Sequence, residues 1–179
     1  MDSKAIIGIS VLLNFVAFGS VAQLYIWPRL QAVRREDALR ALVAPHMFRF
    51  VGLSFLMPGV VGSNMPPAFA IPAAYGDLAA SVLAIVAMTA LSARASWAIA
   101  AVWLLNIEGA LDLLFAYYQG VIGVNLPAGA LGAAFYIPTV LVPPLLVTHF
   151  LMFRLLLRAD GLGETSSLRH SATPRSLSN

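Results

Sequence analysis

Five apolar stretches, each near the roughly 20 residues that cross a bilayer core, alternate with shorter segments that hold almost all of the charge. The first runs unbroken from Lys4 to Trp27 and ends on an aromatic anchor beside Pro28. Ser20, Val21 and Ala22 look like a small-residue cleavage site, but the apolar run continues past them, so the segment reads as a retained span. Residues 28–44 carry Arg29, Arg34, Arg35, Glu36, Asp37 and Arg40, with Leu30, Val33, Leu39 and Leu42 spread around a helical wheel. That pattern predicts a basic surface helix or loop without a clean amphipathic face. A second span is expected from Pro45 to Gly62, with Pro58 and Gly59 loosening its far end. The uncharged, proline-interrupted residues 63–76 are expected to form an irregular, partly inserted loop.

The third span, Asp77 to Leu91, is short, and Ala80, Ala84 and Ala87 recur on it at three- and four-residue spacing. Small residues at that spacing admit a second helix, inside the bundle or in a homodimer. The fourth span runs from Ser96 to Tyr118, with Trp97 near one interface and Tyr117 and Tyr118 near the other. After a Gly, Asn and Pro loop, the fifth covers 128–153 with Pro138, Pro143 and Pro144, so it must kink and leave backbone carbonyls unbonded. Residues 159–179 are rich in Ser, Gly and charge and predict a disordered cytoplasmic tail in which His170 is inert.

Composition agrees with this pattern. With 60% apolar and 11% charged residues, the chain departs from the roughly 25% charged usage of soluble domains, and lipid is the solvent that such a surplus requires. The expected fold is an all-α integral membrane bundle of five transmembrane helices over residues 1–158, a multi-pass membrane protein. The absence of cysteine excludes disulfides, iron–sulfur clusters and thiolate chemistry. Of the eleven basic residues, five fall between Arg29 and Arg49 and four follow Phe153. The basicity is therefore a topology signal and not a nucleic-acid patch: it predicts an outside N-terminus and a cytoplasmic C-terminus.

Candidate chemistry lies on span four. Glu108 and Asp112 stand one turn apart on one face, with Asn106 turned away from them, and acids at membrane depth point to a functional site. A carboxyl group desolvated there suits proton donation or cation binding, or serves as hydrogen-bonding glue. Glu108, Asp112 and His149 are the expected catalytic residues. Asn106, Trp103, Tyr136, Arg49 and His46 are the expected substrate contacts, with Arg49 close enough to the cytoplasmic interface to snorkel. His46 and His149 lie at matched depth, as two haem or metal ligands would, but no H-x-x-x-H or Glu-x-x-His spacing accompanies them. No cofactor and no metal ligand set is predicted.

In size and span number the chain looks like the tryptophan-rich sensory and translocator proteins, yet it has only Trp27, Trp97 and Trp103 and lacks their pattern. In its intramembrane acids it looks like the sterol-isomerase-type and membrane terpene-cyclase families, whose motifs it does not carry either. The leading expectation is an intramembrane isomerase or cyclase that uses acid–base chemistry on a lipophilic small molecule such as an isoprenoid. The alternatives are a proton- or cation-coupled carrier and a non-catalytic accessory subunit. The expected partners are the lipid bilayer and a hydrophobic small molecule, with no nucleic acid.

Overall fold

The computed structural model describes residues 3–158; the tail at 159–179, with His170, lies outside the described residues. The described residues are all-helical, and five helices are long and apolar enough to cross a membrane: α1 (Lys4–Gln31), α2 (Arg35–Leu56), α3 (Pro67–Ser92), α4 (Ala98–Gly123) and α5 (Gly132–Leu157). They run up and down: Phe55 near the end of α2 packs on Phe69 near the start of α3, and Lys4 at the start of α1 bonds Asn125 just ahead of α5. The starting end of α2 meets the finishing end of α5, where Arg35 donates to the Leu156 carbonyl and the Arg154 guanidinium lies 4.1 Å from the Trp27 ring centroid.

Three expectations are corrected. The basic segment after Pro28, expected as a surface helix or loop without a clean amphipathic face, is helical with a packed face: α1 continues to Gln31, and the first turns of α2 bury Ala38, Leu39, Leu42 and Val43. Residues 63–76 are not irregular throughout, since α3 begins at Pro67. Proline fits a first helical turn, and Pro72 removes only one backbone bond close to that end. The third span is consequently longer than its apolar pattern indicates, and Asp77 stands within the helix instead of at an interface. The Ala80, Ala84 and Ala87 stripe is covered by the rest of the same chain.

Residues Ala44–Leu56 of α2 form a 3-10 helix, with Pro45 in its first turn. Runs of this kind beyond three or four residues are uncommon. At three residues per turn, His46, Arg49, Gly52 and Phe55 stack in one row, and all four are buried. An α-helix, at about 100° per residue, would carry Phe55 to the face opposite His46. The 3-10 winding is what brings an imidazole, a guanidinium, a glycine and a phenyl ring to one side.

Helix α5 kinks as its prolines require. Residues Ile137–Leu141 widen into a π-turn, in which the Val142 amide bonds back to the Ile137 carbonyl. Pro143 and Pro144 cannot donate to the carbonyls four residues earlier, Thr139 and Val140. The Asn14 amide of α1 donates to both, at 2.7 and 3.0 Å. The Pro138 carbonyl receives the Tyr117 hydroxyl at 2.6 Å. The carbonyls freed by these prolines are thus satisfied by side chains of neighbouring helices.

Two apolar cores fill the bundle. One lies at the end bearing the α1–α2 turn and includes Leu39, Val43, Ala80, Ala84, Leu105 and Met152. The other lies toward the opposite end and includes Phe55, Phe69, Ala73, Leu113, Ile137 and Val142. A layer of polar side chains separates them.

Candidate functional site

Arg49 is the centre of that layer. Its side chain has no solvent exposure, and its guanidinium reaches three groups on two other helices. Nε donates to Asp77 Oδ1 of α3 at 2.7 Å, Nη2 to Asp112 Oδ2 of α4 at 2.5 Å, and Nη1 to the Gly109 carbonyl at 3.1 Å. The planar fork of arginine can serve two carboxylates at once, which a lysine ammonium on a flexible stem does less well.

Glycines make the close approach possible. A Cβ added at Gly52 would collide with the Asp77 carboxyl, and one at Gly76 with the Asp112 carboxyl. One at Gly109 would lie 2.7 Å from Arg49 Nη1 and 2.9 Å from His149 Nε2. Each ionic side chain therefore rests against a glycine of a neighbouring helix. Their signal in the sequence is slight, because any one of these glycines alone reads as a weak helix position.

Behind Arg49, away from the second apolar core, lie the two histidines. His149 bonds through Nδ1 to Asn106 Oδ1 at 2.7 Å, and His46 Nε2 is 2.9 Å from Thr148 Oγ1. Asn106 Nδ2 and His149 Nε2 are both buried without a hydrogen-bond partner among the described residues. The rings pack with centroids 4.1 Å apart, leaving no room for a porphyrin plane between them. Among the described residues no group of three or more His, Cys, Asp or Glu side chains is placed to hold a metal ion.

On the other side of the cluster is a cavity of about 290 Å³. Its walls come from Ile7 and Val11 of α1, Phe55 of α2, Phe69 and Ala73 of α3, Leu113 and Tyr117 of α4, and Ile137 and Val142 of α5. Asp77 and Asp112 form its base, and Lys4, bonded to Asn125 at 2.6 Å, stands at the rim. The cavity lies toward the end where α1 begins, and all five helices contribute to it.

The expected site residues separate into groups. Asp112, Arg49, His149, His46 and Asn106 meet in one layer. Arg49 does not snorkel: its guanidinium is held inside by two carboxylates and a carbonyl. Glu108 is half-buried and outside the cavity wall, and its Oε2 has no hydrogen-bond partner among the described residues. It shares a helical face with Asp112, but of these two acids Arg49 pairs only with Asp112. Trp103 packs against Phe153 at 5.8 Å in the first apolar core, away from the cavity. Tyr136 is 65% exposed and also stands apart.

Asp77 was missed because its helix was expected to begin there, which assigned the residue to an interface. An aspartate with apolar and alanine positions on both sides was the available signal, together with the His46, Arg49, Gly52, Phe55 period of three.

The fold and site define a class: an all-helical bundle with five potential membrane spans and one guanidinium shared by two carboxylates beneath an apolar cavity. The chain belongs to the family described as Domain of unknown function (DUF8737), whose model matches residues 6–157. Comparison with curated proteins and with solved structures finds no match.

Proposed function

We propose that this is a membrane-embedded protein that binds a lipophilic small molecule in the apolar cavity and carries out acid–base chemistry on it, as an isomerase or cyclase does. The observation that carries the reading is the convergence of apolar walls on Asp77 and Asp112. Largely apolar pockets with a few convergent polar groups are typical of small-molecule sites. Asp112 is the proton-exchanging group in this reading, with Asp77 and Arg49 positioning it. Glu108, expected beside Asp112 as a catalytic residue, does not line the cavity.

Five membrane spans with the N-terminus outside fit the clustering of Arg29, Arg34, Arg35, Arg40, Arg94, Arg154 and Arg158 at one end of the bundle. The exposed Leu12, Leu13 and Val16 of α1 fit a surface bathed by lipid. In that orientation the cavity opens toward the outer half.

The test uses the full chain purified in mild detergent. Mass spectrometry of co-purified lipids should find a lipophile that is lost when Gly8, a cavity position with open space beside it, becomes phenylalanine. Incubated in D2O, the wild-type complex should place solvent deuterium on carbon in that lipophile, and Asp112→Asn should not. Retention of the same lipophile by Gly8→Phe would remove the cavity from the reading. Deuterium-free lipophile in the wild type would remove the acid–base chemistry.

A further inference from the structure

The base of the cavity presents carboxylate oxygens that Arg49 does not reach. Arg49 uses Nε on Asp77 Oδ1 and Nη2 on Asp112 Oδ2, which leaves Asp77 Oδ2 and Asp112 Oδ1 without a hydrogen bond among the described residues. Both residues line the cavity, and the Asp77 side chain is only 9% exposed. At the cavity base one guanidinium therefore serves two carboxyl groups. A carboxylate oxygen without a donor beneath apolar walls is costly, and a donor bearing positive charge corrects both the hydrogen bonding and the charge.

The walls around this base are hydrocarbon and aromatic. Phe55 and Phe69 meet edge to face at 5.5 Å, and the Tyr117 hydroxyl is engaged by the Pro138 carbonyl, so the residue offers the cavity an aromatic surface. Aromatic faces attract cations, and apolar walls take an alkyl chain.

We propose that the cavity binds an amphiphilic amine, with its protonated amino group against Asp77 and Asp112 and its apolar portion between α1 and the Phe55, Phe69 and Leu113 walls. This rests on reading the cavity as a lipophile site and names the chemistry of the molecule that fills it. A primary ammonium supplies three donors and one charge, which meets the two unbonded carboxylate oxygens. A neutral alcohol supplies one donor and no charge, and a fatty carboxylate adds to the excess.

Octylammonium and 1-octanol serve as matched probes, measured by equilibrium dialysis against the full-length protein in nanodiscs of zwitterionic lipid, with empty nanodiscs as the blank. Saturable binding of octylammonium at one site, at least tenfold tighter than octanol, is expected. Asp112→Asn should abolish that preference while leaving octanol binding in place, and Gly8→Phe should weaken both probes together. Gly8→Phe places its ring in open space and so keeps the test available should Asp112→Asn not fold. Equal binding of the two probes would overturn the amine assignment and leave the lipophile cavity standing, as would an ammonium preference that survives in Asp112→Asn. Absence of saturable binding for both probes would overturn the cavity reading with it.

Discussion

The two ends of the bundle are built from similar residue types and differ in how completely those residues fill space. At the end with the α1–α2 turn, Ala38, Val43, Ala80, Ala84 and Ala87 let helices approach until none of these side chains retains any exposure. At the other end, larger residues on kinked helices enclose a cavity of about 290 Å³. Small side chains let the helices of the first end close together, even with a π-turn at Ala22–Ile26 of α1, whereas 3-10 winding in α2, the π-turn in α5 and proline near the start of α3 border the cavity. Interiors ordinarily pack to crystal-like density, so the open volume at this end is where the proposed lipophile would fit.

Arg49 holds the boundary between these ends, and removing it should have the largest effect. Arg49→Met leaves Asp77 and Asp112 facing each other without a counter-ion, a change that costs about 3–5 kcal/mol in buried pairs. Thermal unfolding in detergent should show a large fall, or no folded protein. Arg49→Lys should recover only part of the loss, because one ammonium replaces a fork that contacts two carboxylates and a carbonyl. Full recovery by lysine would mean that charge alone holds the layer.

Packing can be tested at both ends with one kind of change. Ala84→Leu inserts volume where the alanine has no exposure and should destabilise by about 1–3 kcal/mol. Gly8→Leu inserts a similar side chain at a cavity wall with no atom within 4 Å of its Cβ and should change stability by less than about 0.5 kcal/mol. Equal losses in the two variants would mean that the ends do not differ in packing. Between the helices, Gly76→Ala drives a methyl group into the Asp112 carboxyl and should cost as much as Ala84→Leu, in contrast to the usual gain in helix propensity from glycine to alanine.

The contrast between the ends also explains what was legible in the sequence. Hydropathy located five helices because burial of apolar side chains is an average over many residues. It misplaced the starts of α2 and α3, where arginines and prolines dominate the composition but one face still packs. The polar layer was half legible. Glu108 and Asp112 drew attention as acids in an apolar helix, and Arg49, His46 and His149 as polar groups at similar depth, but their pairing depends on which helices touch. Helical periodicity places Glu108 and Asp112 on one face and cannot tell which of them meets an arginine from α2. The 3-10 winding decides that, and it has no reliable signature beyond Pro45 and the spacing of three.

A smaller effect is expected where α1 is tied to α5. Asn14→Ala removes both amide bonds to the Thr139 and Val140 carbonyls, which the following prolines cannot replace. Polar contacts between membrane helices average about 0.6 kcal/mol each, so the loss should be about 1 kcal/mol in thermal unfolding. Because α1 forms one cavity wall, octylammonium binding should weaken as well. Unchanged binding alongside the stability loss would show that α1 is held in place without Asn14.

The smallest change sharpens the comparison within α4 itself, between two acids one turn apart. Asp112 is bonded to Arg49 and lines the cavity, whereas Glu108 makes no hydrogen bond through its buried Oε2 and lies outside the wall. Glu108→Gln preserves shape and removes the acid. With no ion pair to break, it should alter thermal stability by less than about 0.5 kcal/mol and leave the ammonium preference largely intact. The corresponding Asp112→Asn variant removes a carboxylate from the guanidinium fork and should abolish that preference. If Glu108→Gln abolished ammonium binding and Asp112→Asn did not, the working acid would be the one that does not line the cavity. The positions of Arg49 and the cavity would then have no bearing on which carboxyl group acts.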